Sequence, residues 1–398
     1  MPHPAPRHPD RPWAVFLVFL RLGLTSFGGP VAHLGYFRDE FVARRGWLDD
    51  RAYADLVALC QFLPGPASSQ VGMALGLGCA GFGGALAAWA GFTLPSALLL
   101  ALFALGLDAW PALVPPGALH GLKVVAVAVV AQAVWGMARQ LCTDAPRVVL
   151  ALCAAALALA LPGVWGQFAA MLLAAAIGAV CWRARVEQGV SLPVPLGRRL
   201  GAGLLGVFAV ALLGLPLVLH YWPSHTLALV DAFYRTGALV FGGGHVVLPL
   251  LQAAVVPNGW VSNDTFLAGY GAAQAVPGPL FTFAAFLGAA MTTPPTGWAG
   301  AMLCLAAIFA PSFLLVAGTL PFWSRLVAYP LARGALAGAN AAVVGLLLAA
   351  FCHPVWTSAI LRPLDAVVAT AALWALMRWR WPPWRVVLGC ALVGAALG

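Results

Sequence analysis

Residues Arg21–Leu34 read RLGLTSFGGPVAHL, and residues Arg235–Leu248 read RTGALVFGGGHVVL. At an offset of 214 the arginine, the next glycine but one and the FGG triplet coincide. The match continues in order. Trp47-Leu48-Asp49-Asp50 faces Trp260-Val261-Ser262-Asn263, and Gln61-Phe62-Leu63-Pro64-Gly65-Pro66 faces Gln274-Ala275-Val276-Pro277-Gly278-Pro279, both at offset 213. Pro95-Ser96 faces Pro311-Ser312 at 216, and Gly121 and Lys123 face Gly338 and Asn340 at 217. Landmarks in one order at nearly constant spacing mark a tandem duplication of about 170 residues.

The composition says what has been duplicated. Of 398 residues, 62% are hydrophobic and 8% charged, whereas a soluble domain carries roughly 25% charged residues. That excludes a soluble fold, and the hydrophobicity excludes disorder. Eight scattered cysteines without a CxxC pair exclude a disulfide scaffold and read as buried packers. Continuous apolar runs such as Leu98–Leu105 and Val124–Val134 exclude transmembrane strands, which alternate. An all-α polytopic membrane protein remains. The net charge of +9 comes from arginine with a single lysine and forms no long basic stretch, so it signals membrane topology and not nucleic-acid binding. The N-terminus shows no convincing leader cleavage site and is expected to be retained.

Runs long enough to cross a bilayer begin near residues 14, 52, 80, 117, 146, 163, 200, 227, 264, 296, 329, 362 and 383, which predicts about thirteen transmembrane segments. The pairs near 146–182 and 362–398 are short. The expected organisation is a first repeat over 13–185, a linker with an extra helix over 186–225, and a second repeat over 226–398. Six segments per copy and one between them invert the second copy, an architecture common in secondary transporters. A parallel duplication is the alternative if the linker does not cross. With the N-terminus cytoplasmic, thirteen arginines fall inside and five outside: Arg38, Arg44, Arg45, Arg51 and Arg362. The loop Arg38–Arg51 therefore disagrees with the positive-inside rule, unless the first segment does not fully cross.

Pro64-Gly65-Pro66 and Pro277-Gly278-Pro279 break apolar runs, because proline removes a donor and restricts its predecessor. At membrane depth such a break must be buried in protein or line a cavity. The N–H groups that follow, with hydroxyls at Ser68, Ser69 and Thr282, form either an anion site at a helix start or a kink that serves packing. Phe27-Gly28-Gly29-Pro30 and Phe241-Gly242-Gly243-Gly244 give room for a ligand or for a close helix. Arg21 and Arg235 lie in apolar flanks, where a charge implies function or snorkels to the interface. Lys123, whose repeat partner is Asn340, is an anion contact or a buried neutral amine. Gln61 and Gln274 can satisfy backbone groups freed by the breaks. His33, His245 and Asp55 are candidate proton carriers, although neither histidine recurs in the other copy.

Gly76-Leu77-Gly78-Cys79-Ala80-Gly81 fits a dinucleotide fingerprint but lacks the βαβ context. No paired-carboxylate, HExxH or GxSxG arrangement occurs, so neither an enzyme nor a metal or cofactor site is expected. A membrane sensor is less favoured than a transporter by the duplicated breaks.

The paired FGGP/FGGG and PGP motifs, with arginine before the first and glutamine before the second, resemble the chromate ion transporter family in its long, two-domain form, over about residues 13–398. The resemblance implies chromate export from the cytoplasm across the bacterial inner membrane, driven by the proton motive force and giving chromate resistance, with sulfate as competitor. It also implies importance for Arg21, Phe27, Gly28, Gly29, Pro30, Pro64, Gly65 and Pro66. The second copy departs at Gly244 and lacks the acidic pair Asp49 and Asp50. Oxyanion uptake or exchange is the alternative function. The expected surroundings are a lipid bilayer, and a homodimer is compatible with the sequence.

Overall fold

The protein is described by a computed structural model covering residues 11–110, 114–161, 163–182, 196–241, 244–323 and 329–397. Among these residues the secondary structure is helical. The first copy comprises α1 (Pro12–Thr25), α2 (Gly29–Arg38), α3 (Asp50–Phe62), α4 (Ala67–Ala109), α5 (Pro116–Leu141), α6 (Ala145–Ala160) and α7 (Val164–Cys181). The linker is α8 (Arg198–Tyr221). The second copy comprises α9 (His225–Leu239), α10 (Val247–Val255), α11 (Asn263–Ala273), α12 (Phe283–Ala289), α13 (Gly297–Thr319), α14 (Pro330–Ala350), α15 (Pro363–Met377) and α16 (Pro383–Leu397). Proline occupies the first turn of α1, α2, α5, α6, α14 and α15, where its missing N–H costs nothing. Asp49 caps α3 by accepting from the Ala52 N–H at 2.7 Å, and Ser262, its repeat equivalent, caps α11 from the Thr265 N–H. Asp49 thus has a capping counterpart in the Ser262 hydroxyl, while Asp50, paired with Arg38, has none.

Two α4 residues, Ala80 and Gly81, leave helical geometry, so a short limb (67–79) folds back on a long limb (82–109). The long limb spans about 42 Å at 1.5 Å per residue and serves as a depth scale. Pro12 lies beside Gly83, and Gly23 beside Phe92, so α1 runs parallel to the limb and stops halfway along it. There the Ser26 carbonyl accepts from the Gly278 N–H at 3.0 Å, next to Ser96. The chain then turns back. Tyr53 donates to the Leu34 carbonyl at 2.6 Å, and Arg38 pairs with Asp50 at 2.8 Å. Helix α3 returns to mid-depth, ends at Pro64-Gly65-Pro66, and the short limb of α4 leads out until Gly76 meets Gly84.

Each copy therefore opens with two re-entrant hairpins, α1/α2 and α3/short α4 in the first, α9/α10 and α11/α12 in the second. This corrects the expectation of thirteen crossings. Six described helices are long and apolar enough to span a bilayer: α4, α5, α7, α8, α13 and α14 with their end turns. The short α6, α15 and α16 run alongside them. A Gly/Pro break shows that a helix stops, but not whether the chain continues or turns back.

The parity of each copy is kept, because two hairpins, like two spans, return the chain to its starting side. Trp89 packs against Phe309 and Phe313 at 5.7 and 5.8 Å, while Leu105 reaches Gly297. The homologous helices α4 and α13 therefore run antiparallel, and the repeats are inverted. The re-entrant first hairpin also brings the Arg38–Arg51 loop to the same end as Arg139, Arg147, Arg378, Arg380 and Arg385, which removes the disagreement over charge. In that loop, burial raises the Glu40 carboxyl, but hydrogen bonds from Arg45 (2.6 Å) and Arg44 (2.9 Å) outweigh it and hold Glu40 below the usual carboxylate range.

The copies are also interlocked. Helices α6 and α7 pack on α14 of the second copy, and α15 and α16 pack on α5 of the first. Gly178 lies against Gly334 and Gly338, and Gly121 against Cys390, with backbones too close for a Cβ between them.

Candidate anion site

At the centre the hairpin tips cross between copies. The Gly65 N–H donates to the Val240 carbonyl at 2.7 Å, and the Gly278 N–H to the Ser26 carbonyl at 3.0 Å. Ser312 packs on Gly65 as Ser96 packs on Gly278. Both bonds join a PGP tip of one copy to the residue before the FGG tip of the other. Both glycines have positive φ, 122° and 105°, a conformation that only glycine adopts readily.

Beside the Ser26–Gly278 cross lies a cavity of about 630 Å³. Its floor is Phe27, Gly28, Gly29 and Pro30 of the first copy with Gly244, Gln274, Gly278 and Leu280 of the second. Three helical starts meet there: α2 at Gly29, the turn at Gly244 that leads into α10, and the turn at Leu280 that leads into α12. The starts are packed closely, since a Cβ on Gly244 would sit 3.6 Å from both Pro30 and Leu280. His245 is oriented by the Tyr270 hydroxyl, 3.0 Å from Nδ1, and its Nε2 faces Gly29. One wall is the α5 stripe Val129, Gln132, Ala133, Gly136, Met137 and Gln140, and Arg380 stands in the far wall. Among the described residues no carboxylate lines the cavity. Amide, imidazole and guanidinium donors with exposed helix starts make it suited to an anion.

Several sequence candidates lie elsewhere. Arg21 is exposed on the outer face of α1; the inward stripe of that helix is Val15, Val18, Phe19 and Leu22. Arg235 is half-buried and bound at 2.7 and 2.8 Å to both oxygens of Asp231 one turn earlier, and its guanidinium lies over Phe168. Its charge is neutralised within its own helix. Lys123 pairs with Asp264 at 3.0 Å in a separate cavity of about 920 Å³ towards the opposite end. Asn340 is on α14, away from the anion cavity.

The first PGP is closed: Gln70 donates to the Pro64 carbonyl at 2.6 Å, and Gly65, Pro66, Ser68 and Ser69 are buried. Of the second, Gly278 reaches the cavity, whereas Pro277 and Pro279 are buried behind it and Thr282 donates to the Pro279 carbonyl at 2.7 Å. Gln61 is exposed, and Phe241 packs on the core. His33 is buried against Phe92 with Ser68 3.3 Å away, and Asp55 is half-buried on α3. Gly242 and Gly243 lie outside the described residues. No group of three His, Cys, Asp or Glu side chains comes together among the described residues.

Sequence reasoning missed Gln132, Gln140, Tyr270 and Arg380. The two glutamines sit eight apart in an apolar run, on one face of a 3.6-residue period, which is a readable signal. Arg380 has φ of +54° in the α15–α16 turn, and nothing in sequence places that turn over the cavity.

The two ends differ. Away from the arginine-rich end, α10 packs on α14 and α11 packs on α5. At the arginine-rich end the repeat equivalents, α2 on α5 and α3 on α14, make no such packing. The cavity at the tips occupies the gap between α2 and α5. Among the described residues the molecule is open over the tips towards its basic end, whereas towards the other end α10 and α11 cover the tips and the separate cavity with Lys123 and Asp264 lies beyond them.

This fold and site define a polytopic membrane protein of inverted repeats, with re-entrant tips around a central polar cavity. The sequence profile of the chromate transporter family matches residues 13–180 and 227–395. The chain belongs to that family of chromate transporters. It is 28% identical over 365 residues to a chromate transport protein of Pseudomonas aeruginosa, covering 84% of this chain and 78% of that one. It is 28% identical over 410 residues to a chromate transport protein of Cupriavidus metallidurans, covering 98% and 94%. An uncharacterized transporter of Methanocaldococcus jannaschii is 26% identical over 346 residues, covering 84% and 82%. No solved structure gives a significant match.

Proposed function

We propose that this protein is a secondary transporter that exports chromate from the bacterial cytoplasm across the inner membrane, driven by the proton motive force, and so gives chromate resistance. The observation that carries the reading is the cavity, free of carboxylates among the described residues, open to the arginine-rich end and floored by helix starts from both copies. The positive-inside rule assigns that end, and with it the N-terminus, to the cytoplasm. A cytoplasmic chromate dianion meets Arg380 and the α5 glutamines first, then the tips and His245. The halves 13–185 and 226–398 rock about the tips to release it outside, and the linker 186–225 holds them inverted. An inside-negative potential favours outward movement of a dianion by about 4.6 kcal/mol per 100 mV. His245, held by Tyr270, is the proton-coupling group.

The test is radiolabelled chromate flux into inside-out vesicles, with pH and voltage gradients imposed separately. Accumulation under either gradient is expected, with sulfate competing because it is also a tetrahedral dianion. No accumulation under both would end the export reading. Uptake by right-side-out vesicles would favour import or exchange.

A further inference from the structure

Inverted repeats that pack differently at their two ends show each half in one of two arrangements. The closed end shows what the open end becomes when the molecule faces the other way. This rests on the alternating-access reading above. At the closed end α11 lies directly on α5, with Gly271 against the Leu122 carbonyl. Lys123, with 12% of its side chain exposed, crosses to the exposed Asp264 (71%) at 3.0 Å. The repeat offsets of 213 and 217 place Arg51 where Asp264 stands and Asn340 where Lys123 stands.

Three observations mark this second pair as waiting for its partner. The Asn340 Oδ1 is buried with no hydrogen-bond partner, and a buried acceptor left unmatched is costly. Arg51 is exposed and makes no ion pair among the described residues. The α3 face that carries it, Arg51, Ala54, Ala58 and Gln61, is exposed along its length. Those residues align with Asp264, Leu267, Gly271 and Gln274 of α11. Gly271 lies too close to the Leu122 carbonyl to carry a Cβ, so Ala58 and Ala339, small but not glycine, would meet with α3 slightly further from α14 than α11 is from α5.

We infer that Lys123–Asp264 is the lock of the far face, and that Arg51–Asn340 is the equivalent lock of the basic end, formed only in the opposite-facing state. The chemistry carries over with roles exchanged: lysine on α5 donates to a carboxylate on α11, and arginine on α3 donates to an amide oxygen on α14. Closing α3 on α14 would bring Gln61 to the centre, where Gln274 now stands.

The test uses the full chain with its native cysteines replaced, in membrane vesicles. Ala58→Cys with Ala339→Cys leaves both locks intact. Disulfide formation is expected, with flux stopping on oxidation and returning on reduction. Oxidation should also protect Gln140→Cys in the cavity from an impermeant thiol reagent applied at the basic end. Failure to cross-link, in protein whose reduced form transports like its parent, overturns the inference. Separately, Asn340→Asp turns the second lock into a full ion pair. It should slow labelling of Gln140→Cys at least about threefold by shifting the population, and adding Arg51→Ala should reverse the effect. An unchanged labelling rate also overturns the inference. Cross-linking and labelling are read without substrate, so a parent that moves no chromate sinks the transport reading and leaves this test decided.

Discussion

Arg21, which the sequence marks as a candidate for the site, lies outside it, and Arg380, which the sequence does not single out, lines it. Arg380 stands in the cavity wall, and Arg380→Ala is expected to raise the KM for chromate about tenfold, the scale of one hydrogen bond to a charged group, in protein that still folds. Arg21 faces away from the bundle, so Arg21→Ala should leave initial flux within about twofold of the parent, as for a surface change. A vesicle assay of both variants checks the pair. Glu40 supplies a pH prediction. Its folded carboxyl is held below the ordinary range by Arg45 and Arg44 after burial is overcome. That stabilisation is present above the unfolded value of about 4.3 and is lost as pH falls through the lower, folded value. Melting temperature followed from pH 6 downward should fall less steeply for Glu40→Gln. An intramembrane arginine reads as functional in sequence because charge there is costly, yet Arg235 resolves that cost with Asp231 one turn away. The partner was visible at i−4, but its geometry was not.

The hairpin tips are the elements that the sequence describes best. FGG and PGP announce breaks, their repetition announces equivalence, and the structure crosses them reciprocally. Gly65→Ala and Gly278→Ala should each destabilise strongly. The left-handed backbone alone costs a non-glycine residue roughly 1–2 kcal/mol, and the new Cβ would lie 2.5 Å from Gln70 or 2.8 Å from Ser96. Thermal unfolding of detergent-purified protein is the measurement, and a wild-type midpoint in both would contradict the reciprocal cross. What remained illegible was direction. An apolar run reports that a segment is buried or lipid-facing, so α1 and α3 read like spans although each reaches only mid-depth. The turn-back is set by contacts such as Tyr53 to Leu34 and Arg38 to Asp50, across loops whose course no periodicity describes.

Across the whole molecule, orientation and openness are separable. Gln140→Cys should react with an impermeant thiol reagent in inside-out vesicles and resist it in right-side-out ones, since both the cavity and the arginines lie at one end. The reverse pattern would place the basic end outside. Inversion was legible from parity, because replacing two spans of a copy by two hairpins leaves the parity of its crossings unchanged. The interlocking of the copies was not legible, since small residues such as Gly121 and Gly178 have no pattern that names a distant partner. That interlocking bears on biosynthesis. Gly121 on α5 finds its cover in Cys390 on α16, so the first half emerges from the ribosome with one face bare and waits while the entire second half is translated. Until then that face must be shielded by lipid or by the insertion machinery. A chain arrested after α14 would leave in the membrane a well-inserted half that nothing has yet closed, and such a half would be a natural substrate for membrane proteolysis.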